Sequence, residues 1–222
     1  MWTRSKSTPP CSSASASPPC WSLPTTYEPE SGYADPVSTA AALMNAARRR
    51  GAVLVQDCAV TGIRVRAGKV TGVDTTQGVF SAPIVVNAAG AWARRICEMA
   101  GVEVPIGTWR HDVMFVARRA VDRLCKRVPL MERGGLHSAH SGYDGITPDQ
   151  HPAIGPIGPE GFWLDCGFSG TGFKISPAVG LCLAEWILDG APKTVDISAF
   201  TPTRFAQGIR LVSEHPYESI WR

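Results

Sequence analysis

Apolar positions along the chain switch repeatedly between a spacing of three to four residues and a spacing of two. Val37, Ala40, Ala41, Met44 and Ala47 recur at helical spacing. Asp35 stands where an N-cap belongs, and Pro36 takes the first helical position, where a missing N–H costs nothing. Arg48 to Arg50 occupy the negative end of the helix dipole, and Gly51 stops the helix. A short strand is expected over Ala52–Val55, then a hairpin carrying Ile63, Val65, Val70 and Val73 around an Ala67-Gly68-Lys69 turn. Gly78 marks another turn, and Ile84–Asn87 reads as a strand that passes through Ala88-Ala89-Gly90 into a helix over Ala91–Ala100, closed by Gly101. Beyond Pro105, Trp109–Val116 reads as a strand and Ala120–Val128 as a helix with Val121, Leu124 and Cys125 inward. Prolines at 148, 152, 156 and 159, mixed with glycines, predict a long turn-rich connection. Phe162–Phe168 then reads as a buried strand, and Pro177–Leu188 as a helix stopped by Gly190. Strands alternating with helices, with one inserted hairpin, imply an α/β architecture with α+β character.

Composition narrows this little. The 222 residues are 44% hydrophobic with a net charge of +3, too small to argue for a nucleic-acid partner. No apolar run approaches the roughly 20 residues of a membrane span. The densest basic stretch, Arg118 to Arg133, has no interleaved aromatics and reads as a solvated helix face. Seven scattered cysteines without a C-x-x-C spacing fit free thiols in a reducing compartment, and so a cytoplasmic protein. No metal site is expected, because His137 and His140 lack a third ligand at sensible spacing. Residues 1–26 hold no acid and are rich in serine and proline, which predicts a disordered tail. Its prolines oppose an amphipathic transit helix, and it has no apolar core of a secretory signal.

Two strand-to-helix junctions carry candidate chemistry. In Val85-Val86-Asn87-Ala88-Ala89-Gly90-Ala91-Trp92, small residues follow a buried strand. They allow either a ligand or a packed helix to approach the backbone closely. Gly167-Phe168-Ser169-Gly170-Thr171-Gly172-Phe173-Lys174 puts free amides, a hydroxyl and a lysine at a helix N-terminus, which suits an electron-rich group. It is not a dinucleotide fingerprint, since Ile175 stands where the third glycine would be.

With their flanks, these motifs resemble the D-amino-acid-oxidase superfamily of FAD-dependent oxidoreductases, which includes sarcosine oxidase, glycine oxidase and the dimethylglycine dehydrogenases. The resemblance runs over about residues 27–205: Gly32-Tyr33-Ala34-Asp35-Pro36, the Asn87 and Gly170 motifs, and Tyr143…Thr147-Pro148-Asp149…His151-Pro152 between them. It implies oxidation of a C–N bond in a small amine or amino acid by hydride transfer to flavin N5. It places Ala89, Gly90, Ala91 and Trp92 beside FAD, and Gly170, Thr171, Gly172, Phe173 and Lys174 against the isoalloxazine ring. Lys174 then serves as a fixed cation near flavin or substrate carboxylate, Tyr143 lines the substrate side, and no general base is nominated. Ser141 and Gly142 stand where the covalent subgroup has a cysteine, so the implied FAD is noncovalent.

The sequence departs from the family in lacking any G-x-G-x-x-G, and in running Phe115-Val116-Ala117-Arg118 almost directly into the helix that follows. The expectation is therefore an incomplete FAD-binding, glutathione-reductase-like domain with a reduced substrate-domain remnant. Its middle part would be 27–105, the remnant 106–142 and the C-terminal part 143–222. A chain of that kind is expected either to be inactive alone, as a noncatalytic remnant, or to need a partner chain that supplies the dinucleotide-binding segment.

Overall fold

A computed structural model describes residues 34–114 and 139–212. The chain divides into two units, Met1–Leu54 and Val55–Arg222. In the first, helix α1 (Pro36–Arg48) starts as its sequence dictates, with the Asp35 carboxylate accepting the Ser38 N–H at 2.7 Å and Pro36 in the first turn. None of its residues is fully buried, although Met44 and Ala47 of the apolar stripe are half-buried. The strand expected over Ala52–Val55 does not form; those residues are irregular, and no strand among the described residues pairs with them.

Among the described residues the second unit holds three sheets. Strands β1 (Val60–Arg66), β2 (Lys69–Thr75) and β3 (Gly78–Ser81) form an antiparallel meander, the first two joined through Ala67-Gly68. Next come β4 (Val85–Asn87), a 3₁₀ turn at Gly90–Trp92 and helix α2 (Ala93–Met99). Strands β5 (Gly107–Met114) and β6 (Ala139–Ile146) pair as an antiparallel ribbon. Strand β7 (Ala153–Pro156) lies inside the stretch expected to be only turns, and β8 (Phe162–Cys166) follows. The third sheet has the order β4-β8-β7, with β4 parallel to β8 and β7 antiparallel to it. The helix expected over Ala120–Val128, the basic stretch and His137 lie outside the described residues.

Strand β8 organises the core because its residues alternate between two buried faces. Phe162, Leu164 and Cys166 point into a cluster with Ile63, Val70, Cys97, Val104 and Ile106, under the meander and α2. Trp163 faces the other way, toward Ile154 and helix α3 (Gly172–Asp189), which buries Val179, Cys182 and Leu183 there. Each fully buried Leu, Ile or Phe is worth roughly 1.5–3 kcal/mol, so one short strand anchors both layers.

Helix α3 begins well before Pro177, where its start was expected. A proline inside a helix withholds the N–H that the carbonyl four residues earlier needs. Here that carbonyl belongs to Phe173, and the Ser176 hydroxyl donates to it at 2.9 Å. The substitute bond lets the helix run through the proline, and Gly190 ends it in a left-handed conformation.

Candidate functional site

Because β4 and β8 are parallel neighbours, with Asn87 level with Leu164, both chains leave the sheet at the same edge. That edge is where the two sequence-selected junctions meet. Ligands in open α/β sheets bind outside such carboxyl ends.

The first junction is held by Asn87, which the motif contains but to which the sequence assigns no role. Asn87 is buried, and its side-chain amide donates to the Ala93 carbonyl at 2.9 Å and to the Cys97 sulfur at 3.3 Å. Its side-chain oxygen accepts the Ala89 N–H at 3.2 Å, and its backbone carbonyl accepts the Cys166 thiol at 3.0 Å. One side chain thus pins the start of the turn and the start of α2. Between them Gly90 has a φ of +53°, which glycine adopts without strain, and a Cβ there would meet nothing within 4 Å. Ala91 is buried, while Trp92 is 61% exposed. A buried asparagine at the end of a strand, followed only by small residues, was the signal that could have picked it out.

At the second junction, Gly170 takes a φ of +85° and Thr171 starts α3 without any side-chain cap. The Thr171 hydroxyl donates instead to the Phe168 carbonyl at 2.7 Å. The amides of Gly172, Phe173 and Lys174 therefore open the helix with no partner inside it. No acidic residue lies in the first turn. Phe173 and Lys174 are both exposed, and Lys174 makes no ion pair among the described residues.

The β5–β6 ribbon joins the two junctions. Tyr143, 57% exposed, meets Trp92 edge to face with ring centroids 5.9 Å apart. The Thr108 hydroxyl donates to the Ala91 carbonyl at 2.7 Å. Gly145, cross-strand partner of Thr108, accepts the Ser169 N–H at 3.1 Å and passes so close to Gly90 that a Cβ would lie 2.9 Å from the Gly90 carbonyl oxygen. Ala89 to Trp92 and Tyr143 are thereby brought together, and the loop that leads to Gly170 is tied to the same strand. Lys174 lies in the first turn of α3, and no hydrogen bond or ion pair links it to the Gly90 turn. Thr108 and Gly145 have no candidate role in the sequence, because an isolated threonine or glycine carries no signal of proximity, while Ser169 stands in the second junction motif without a role of its own.

The two buried thiols at this edge are poor nucleophiles. Burial pushes the Cys97 thiol up to about 11, with the Asn87 amide opposing and Glu98 adding. Burial likewise pushes Cys166 up to about 12, against the pull of the Gly90 N–H beside it. Both stay protonated at neutral pH, and a protonated thiol neither attacks nor ligates. Further along β8, burial raises Asp165 to about 6, and its Oδ1 is enclosed without a donor among the described residues. Away from the edge, Asp149 and Arg204 form a bidentate ion pair at 2.9 and 3.0 Å, with side chains only 1% and 2% exposed. It ties the turn after β6 to the C-terminal 3₁₀ turn at Pro202–Arg204. Asp149 belongs to the Thr147-Pro148-Asp149 motif, and this contact gives the motif a structural role.

The chain is 29% identical to mitochondrial sarcosine dehydrogenase of Mus musculus over 88% of its own length and 28% of that protein. It is 24% identical to sarcosine oxidase subunit beta of Arthrobacter sp over 86% of its length and 58% of that subunit. Among solved structures, L-proline dehydrogenase from P. horikoshii superposes with a TM-score of 0.74 at 27% identity, covering 80% of this chain and 62% of that one. The chain thus spans less than two thirds of each of these relatives. The sequence model of the family described as FAD dependent oxidoreductase matches residues 21–130 and 112–186, which between them take in both junctions and the ribbon that joins them, and the chain belongs to that family.

Proposed function

We propose that the shared edge of β4 and β8 holds the isoalloxazine half of FAD, noncovalently, in an oxidoreductase acting on the C–N bond of a small amine or amino acid. The observation that carries the reading is the convergence of the Gly90 and Gly170 turns through the parallel pairing of β4 with β8. The residues suit such a ring. Open space beside Gly90 admits a flat group, and the uncapped amides of α3 suit its electron-rich carbonyl edge. Bound FAD supplies the hydride acceptor, at N5.

In this reading, the Gly172, Phe173 and Lys174 amides stabilise the negative charge that builds on the ring. Lys174 adds a fixed cation for ring or substrate carboxylate, and Tyr143, held edge to face against Trp92, lines the substrate side. Ala89, Gly90, Ala91, Gly170 and Thr171 give close backbone approach, and Phe173 lies against the ring. Sarcosine and L-proline, named in the relatives, are both secondary amino acids and make the first substrates to try. The division into FAD-binding parts at 27–105 and 143–222 around a substrate-domain remnant at 106–142 belongs to the same proposal. So does a reducing, cytoplasmic setting, supported by the unpaired thiols of Cys58, Cys97, Cys166 and Cys182. No helix among the described residues is long and apolar enough to cross a membrane.

A partner-dependent form of this reading has its own support. The sequence contains no G-x-G-x-x-G to grip the ADP half of FAD. Strand β4 is the outer strand of its sheet among the described residues, and Val86 on it is 41% exposed. A second chain bringing a dinucleotide-binding segment to that edge would complete the grip. Titrating the purified chain with FAD tests the proposal directly: a bound, perturbed flavin absorption band supports it. A chain that stays colourless, alone and with a separately expressed dinucleotide-binding segment of a relative, refutes it.

A further inference from the structure

We infer that the cross-strand pair Thr108–Gly145 is a positioning element that sets the Gly90–Ala91 turn against the Ser169 loop, and thereby fixes the width of the flavin-binding edge. The inference rests on the proposed function for its ligand, but its geometry stands on its own. The two members of the pair address two successive carbonyls of the turn. Thr108 donates its hydroxyl to the Ala91 carbonyl at 2.7 Å, and Gly145 leaves room for the Gly90 carbonyl. Gly145 also accepts the Ser169 N–H at 3.1 Å, so the same residue touches both junctions. Gly145 is buried and does not adopt a positive φ, so its lack of a side chain answers crowding and not backbone conformation. A methyl group there would sit 2.9 Å from the Gly90 oxygen and 3.4 Å from Ile106 Cγ2. Real side-chain carbons do not approach an oxygen that closely, so the turn must retreat by several tenths of an ångström. Binding sites tolerate only about 0.5 Å of displacement in their contacting groups.

Gly142 provides the control. It lies on the same strand, and a Cβ there meets nothing within 4 Å. The test compares the full-length wild type with Gly145→Ala, Gly142→Ala and Thr108→Val. FAD affinity is read from flavin absorbance, thermal midpoint is read without FAD, and hydrogen exchange is followed at the amides of residues 89–92. Gly145→Ala and Thr108→Val are expected to weaken FAD about tenfold. They should also speed exchange at residues 89–92, while exchange in the β1–β3 meander stays as in wild type and Gly142→Ala matches wild type throughout. If Gly145→Ala does not fold, Thr108→Val decides alone, since it removes one hydroxyl and keeps the shape. Unchanged affinity and exchange in the Thr108 or Gly145 variants, with wild type binding FAD, overturns the inference and leaves the proposed function intact. A wild type that binds no flavin defeats the proposed function; faster exchange at residues 89–92 then still supports the positioning role, and unchanged exchange removes it.

Discussion

Replacing Asp165 with asparagine should make the protein more stable near neutral pH and leave it unchanged in acid. Asp165 sits on β8 in register with Ile154, and its Oδ1 is enclosed without a partner among the described residues. Burial raises its pKa from 3.8 to about 6. The folded state therefore holds the proton more tightly than the unfolded chain. Between those two values the native state binds more protons, so stability falls as pH rises from about 3.8 to about 6, and stays at the lower level above that. Two pKa units correspond to about 3 kcal/mol at most, and partial solvent contact with the rest of the side chain brings the expected figure to about 1–2 kcal/mol. An amide has the carboxyl's shape and carries no charge to desolvate. Urea unfolding of wild type and Asp165→Asn at pH 4 and pH 7.5 measures the difference. The expected gain for the variant is about 1–2 kcal/mol at the higher pH and near zero at the lower. Equal stabilities at both values, or a variant weaker at pH 7.5, would refute the claim that this carboxylate is an uncompensated buried charge.

Arg204→Ala leaves the Asp149 carboxylate enclosed without its cation and should cost about 3–5 kcal/mol, measured by urea unfolding at pH 7. Burial pushes the Asp149 pKa up, but the Arg204 bonds, the Leu211 and His151 N–H groups and the Arg204 charge outweigh it and hold the group down at about 2. Its contribution is therefore complete above the unfolded value of 3.8 and lost as pH falls toward about 2, so the wild type's advantage over the variant should shrink across that window in acid titration. With thiols raised to about 11 and about 12, Cys97 and Cys166 should resist alkylation in the native protein at pH 8, while half-buried Cys58 is modified before either of them, as peptide mass spectrometry would report.

How much of this was legible beforehand depends on whether the decisive interaction is local. The start of α1 could be read because Asp35, Pro36 and Ser38 settle it among themselves. The hairpin and the β4–turn–helix unit could be read because their apolar spacing and small residues lie within a few positions of one another. Strand β7 could not, since its four residues end in a proline and lie among turn formers; pairing with β8 and burial of Ala153 and Ile154 override that local signal. Strand β6 has the sequence AHSGYDGI, which has no two-residue alternation, and owes its form to β5. The reverse error, a strand at 52–55, followed from four residues with strand character that pair with no strand among the described residues. In the site, the glycine turns were visible in the sequence, but Asn87, Thr108 and Gly145 acquire their roles only through contacts made across the fold.

The thiol of Cys166 reaches the Asn87 carbonyl across 79 positions of chain, and the turns at Gly90 and Gly170 are slightly farther apart in sequence. A molecule seated between those turns would act as a removable cross-link closing a loop of that length. Such a loop is slow to close unaided and costly in entropy to hold shut. Occupancy would then raise the unfolding temperature in step with ligand concentration. In the empty protein, the strand ends would be the first part of the third sheet to separate on heating.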